Sequence, residues 1–61
     1  MKLHQLLQAV QFETHVCIIH GNCEYTVLHD FPINNTLIKF DNYNVANIFV
    51  KSNILHIEVE K

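Results

Sequence analysis

Four residues able to do chemistry crowd into one stretch: His15, Cys17, His20 and Cys23 fall within nine positions. Imidazole and thiolate are the usual zinc ligands, so on a loop this spacing would invite a metal site. The surrounding residues argue for strands instead, and strand alternation divides the group. With a two-residue turn, Cys17 and Cys23 project from opposite faces, which leaves at most His20 and Cys23 to share a metal. With a three-residue turn the cysteines share a side but stand too far apart along the ladder for the ~5.5 Å Cα separation of a disulfide. There is no C-x-x-C knuckle. The reading is therefore one of ordinary strand residues, with a metal- or thiol-dependent module on His20 and Cys23 as the alternative.

Cys23 beside His20 is also the nearest approach to a nucleophile with its base, but catalysis needs a third group and a concave, dry pocket. With a single glycine, Gly21, the chain has no loop to form an oxyanion hole or phosphate cradle. No enzyme activity and no cofactor are expected. Five histidines could make the protein pH-sensitive near 6.5; as composition they read as solvated rings.

Periodicity indicates the elements that position these residues. Leu3, Leu6, Leu7 and Val10 recur at helical spacing, predicting a short amphipathic helix over about residues 2–10. It is too short to hold alone in water and must pack on a sheet. From His15 the residues become β-branched and aromatic around Gly21-Asn22, predicting a hairpin with His20 opposite Cys23, Ile18 opposite Tyr25 and Val16 opposite Val27. That face is the expected core, with His15, Cys17, Ile19, Glu24, Thr26 and Leu28 on the other.

Residues 31–44 mix turn signals with Leu37, Ile38 and Phe40, which ask for burial. A long connection with a short helical or extended piece around 36–40 satisfies both. A turn at Ser52-Asn53 pairs Lys51 with Ile54 and gathers Ala46, Ile48, Val50, Leu55, Ile57 and Val59 onto one face. Asn47, Phe49, Lys51, Ile54, His56 and Glu58 fall on the other. The expected fold is a single α+β domain over 1–61, with the amino-terminal helix on a four-stranded, mainly antiparallel sheet of two hairpins.

Composition narrows the partners. Four lysines, no arginine and a net charge of −2 leave neither a basic stripe nor guanidinium contacts, so direct nucleic-acid binding is not expected. The six carboxylates are too dispersed for a DNA mimic. No apolar run reaches the ~20 residues of a membrane span and no secretory signal opens the chain, which predicts a cytoplasmic protein with free thiols. A hydrophobic fraction of 49% in 61 residues exceeds what so small an interior can hide. Some apolar surface should remain for a protein partner or a homodimer. Phe49 and Ile54 on the outward face of the last hairpin, with Phe40 and Tyr43, are the candidate contact residues.

The leucine-patterned helix, the Gly-Asn hairpin and the ending Asn-Tyr-Asn-Val-Ala-Asn-Ile-Phe-Val-Lys-Ser-Asn-Ile-Leu-His-Ile-Glu-Val together resemble short proteins encoded by phages and prophages of Gram-positive bacteria. The resemblance is one of layout and hydrophobic pattern over most of the chain. It implies a setting, the cytoplasm of a bacterial host cell, and stoichiometric binding of a host protein. Inhibitors of host defence complexes, anti-CRISPR proteins among them, are one such class. It transfers no site residue.

Overall fold

A computed structural model describes residues 1–61. In chain order the elements are α1 (Leu3–Leu7), β1 (Thr14–His20), β2 (Cys23–His29), α2 (Asn35–Lys39), β3 (Asn44–Lys51) and β4 (Ile54–Glu60). The α+β layout is as expected, including a helical piece within 31–44; the differences are a shorter first helix, a mixed sheet and a bulge in β3.

The amino-terminal helix is shorter than the leucine period suggested. Lys2 stands at its N-cap, with the Gln5 side chain bonded back to the Lys2 N–H at 2.8 Å. Leu3 and Leu7 enter the core, whereas Val10 lies beyond the helix and is only half-buried. A second helix occupies the connection. Asn34 caps α2 by accepting from the Thr36 N–H at 2.8 Å, and the turn that follows drives Leu37 and Phe40 inward.

The sheet is mixed. Its order is β2-β1-β4-β3, and the two hairpins meet through a parallel β1/β4 pair, with Cys17 beside His56 and Ile18 beside Ile57. Such a pair needs a crossover rather than a tight turn, and α2 lies within it.

Both hairpin registers are as predicted. His20 faces Cys23 across a turn in which Gly21 has φ +62°, and Lys51 faces Ile54 across Ser52 and Asn53, both at positive φ. The exception is Ala46. It is the extra residue of a bulge between the Val45–Val59 and Asn47–Glu58 pairs, so Val45, and not Ala46, completes the apolar face of β3.

Strand alternation then gives each side of the sheet its own role. Val16, Ile18, Ile57 and Val59 form the core with Leu3, Leu7, Leu37 and Phe40 from the helices and the turn after α2. Both helices thus cover one face, and the other has no layer above it. No helix is long and apolar enough to cross a membrane.

Candidate functional site

The residues singled out by sequence separate in space. His20 and Cys23 do face each other, on the helix-covered side. The His20 ring is occupied, however, with Phe40 at 5.3 Å and Tyr43 edge-on at 5.2 Å, in a cluster that also takes in Tyr25, 5.6 Å from Phe40. Cys23 is exposed beside it. Its thiol, by a hydrogen bond to Tyr25 and then by charge repulsion, holds the Tyr25 hydroxyl above its usual pKa, with partial burial adding to the effect. Neither cysteine is in a disulfide.

Of the four candidate contact residues, Phe49 is exposed and Ile54 half-buried, both on the open face. Tyr43 is half-buried in the aromatic cluster. Phe40 is a correction: at 1% exposure it is one of the central core side chains and presents no contact surface, because the α2 cap aims it at the sheet.

The constellation that forms instead joins Cys17, Glu24 and His56. One ligand atom from each lies within 4.8 Å of the other two. Cys17 is nearly sealed, with its thiol turned to Glu24 Oε1 at 3.8 Å. His56 is also buried; its Nδ1 lies 2.8 Å from the Ile54 carbonyl oxygen, and its ring stacks on Phe49 at 5.0 Å and 20°. A carbonyl oxygen can only accept, so Nδ1 carries a proton and, in the neutral ring, Nε2 keeps its lone pair. Glu24 is the exposed member. All three residues were assigned to outward hairpin faces by alternation alone. What sequence lacked was the parallel β1/β4 pairing that brings Cys17 beside His56, 39 positions later.

No protein-family model, curated protein or solved structure matches the chain. Any functional reading therefore stands on the surfaces themselves.

Two more features define those surfaces. Between α1, α2 and Phe12 runs an apolar groove of about 570 Å³, walled by Leu7, Val10, Ile33, Leu37 and Ile38. His29 closes one side. It is 4% exposed, packs 5.1 Å from the Phe12 ring, and has a buried Nδ1 with no hydrogen-bond partner.

At the far side, β3 is a sheet edge on which every residue from Ala46 to Lys51 is exposed. The pair flanking a two-residue turn is hydrogen-bonded, so Lys51 and Phe49 bond inward to β4 while Ile48 and Val50 turn their backbone groups outward. Part of this edge is already satisfied. Met1 O accepts from the Val45 N–H at 2.8 Å, and Asn47 Oδ1 accepts from the Ile48 N–H at 3.0 Å. What remains free is the Ile48 carbonyl and the backbone groups of Val50, in a run Ile48–Val50 whose side chains are all apolar.

Proposed function

We propose that this chain is a small non-enzymatic interaction protein that acts by stoichiometric contact, with β3 as its docking edge. The observation that supports this reading is the edge itself. Ile48, Phe49 and Val50 stand 41%, 38% and 70% exposed on a strand with unpaired backbone groups. Bare apolar edges are hazards that most proteins blunt, and they are also the usual seat of strand addition, in which main-chain bonds give affinity and alternate side chains give specificity. Here the bulge, Met1 and Asn47 blunt the amino-terminal half of β3 and leave the other half open. The partner is a protein offering an extended strand. We take the layout resemblance as suggesting a partner in a bacterial host cell, a host defence complex being one candidate.

A concentration series in analytical ultracentrifugation, followed by pulldown from a bacterial lysate, tests the reading with wild type and Val50→Lys side by side. Val50 is exposed enough for lysine to leave the fold intact. The expected result is that wild type associates, with itself or with a captured protein in stoichiometric ratio, and that Val50→Lys does neither. A wild-type chain that stays monomeric throughout and captures nothing overturns the proposal, as does a Val50→Lys chain that behaves like wild type.

A further inference from the structure

We propose that Cys17, Glu24 and His56 form a zinc site on the open face of the sheet. The three donors come from three adjacent strands and already lie within 4.8 Å of one another. A tetrahedral zinc with bonds of roughly 2.0–2.3 Å needs its donors about 3.3–3.7 Å apart. The Cys17 Sγ to Glu24 Oε1 distance of 3.8 Å is close to that requirement. Glu24 is exposed and free to swing, and the Cys17 and His56 donors, already within 4.8 Å on neighbouring strands, need to close by no more than about 1 Å.

His56 is prepared for the same role. The hydrogen bond from its Nδ1 to the Ile54 carbonyl is the outer-shell contact that orients a ligating imidazole and fixes its tautomer, leaving Nε2 to bind metal. The stacked Phe49 ring holds the plane of the imidazole. A thiolate and an imidazole select zinc over magnesium or calcium, which take all-oxygen shells. One thiolate and one carboxylate also balance the two charges of the ion, so no net charge is left beside the buried Cys17 and His56.

Binding forms S–Zn, N–Zn and O–Zn bonds and releases the Cys17 S–H proton to solvent, with no change of oxidation state. The fourth position is open. Glu24 and His56 also line a concavity of about 360 Å³ bounded by Gly21, Asn22, Phe49 and Lys51, which has room for a water to complete the shell. Three protein ligands with one solvent position is the arrangement of zinc sites that exchange their fourth ligand.

The test titrates the reduced, metal-free chain with Zn²⁺ and separately with Co²⁺. The expected result is one ion per chain, with a thiolate-to-cobalt charge-transfer band that Cys17→Ser removes. Because Cys17 and His56 are buried and their variants can unfold, the deciding variant is the exposed Glu24→Gln, with circular dichroism to confirm its fold. Loss of a ligand should weaken zinc binding by at least about tenfold, the scale seen even for outer-shell partners. His20→Ala and Cys23→Ser should leave the affinity unchanged. Failure to bind one equivalent of zinc overturns the proposal, as does binding that survives Glu24→Gln or is lost with Cys23→Ser.

Discussion

The two faces of the sheet use the same four strands but reach burial by different means. On the covered face, Val16, Ile18 and Ile57 are fully sealed by side chains delivered from the two helices and the turn after α2. On the open face, Cys17 and His56 are almost as inaccessible with nothing packed above them. Their cover is lateral, from the Phe49 ring and the flanking strands. The polar groups differ accordingly. On the open face His56 Nδ1 finds Ile54 O and the Cys17 thiol finds Glu24, whereas on the covered face His29 Nδ1 finds nothing. Buried polar groups generally find partners, and His29 Nδ1 under the second layer is the exception here. Stability should therefore reside on the first face and chemistry on the second.

The largest expected effect comes from removing one phenylalanine from each side. Phe40→Ala should cost about 3–5 kcal/mol, the usual loss for a buried Phe. A chain of this size holds only a margin of similar order, so at 25 °C the variant should be largely unfolded. Phe49→Ala removes a ring that is partly exposed and loses its stack on His56, and should cost about 1–2 kcal/mol. Urea unfolding followed by circular dichroism measures both, and equal losses would erase the distinction between the faces.

An intermediate effect is expected at His56. Metal-free His56→Ala loses the stack on Phe49 and the bond to Ile54 O, and should cost about 1–2 kcal/mol. A double-mutant cycle with Phe49→Ala isolates the stack, for which a coupling of about 0.5–1.5 kcal/mol is expected. A coupling of zero would mean that the ring of Phe49 does not cover His56 in solution.

The same contrast explains what could be read in advance. Turn chemistry is local, so Gly21-Asn22 and Ser52-Asn53 fixed both registers and thereby placed Cys17 and Glu24 on one face and His20 and Cys23 on the other. The parallel pairing of β1 with β4 is not local. It depends on how α2 carries the chain across the core, and no residue near Cys17 announces His56. The bulge was hidden for another reason: Ala46 continues the alternation of Ile48 and Val50 whereas Val45 falls out of it, and only the pairing of Val45 with Val59 and of Asn47 with Glu58 shows that Ala46 is displaced. Phe40 was read both as asking for burial and as a candidate contact, because the Asn34 cap that decides between them, visible in Asn34-Asn35-Thr36, lay among other asparagines that signalled turns.

The smallest effect probes the corner where the covering layer ends. Cys23 is exposed there and Tyr25 is half-buried, two residues apart on the same face of β2. The raised pKa of Tyr25 comes first from its hydrogen bond with Cys23, next from repulsion between the two anions, and last from burial. A folded-state value above the unfolded one means that the native chain favours the neutral phenol. The resulting stabilisation is complete below the ordinary value of 10.0 and is lost as pH rises through the folded value. Cys23→Ala removes the two larger causes, so the tyrosinate absorbance should titrate at lower pH, back towards 10.0. Tyr43→Phe in both chains leaves Tyr25 as the only tyrosine and makes the signal unambiguous. Because Tyr25 also touches Phe40 across the aromatic cluster, its midpoint reports how far the dry layer reaches. An unchanged midpoint in Cys23→Ala would assign the shift to burial and extend the covered face to the end of the hairpin.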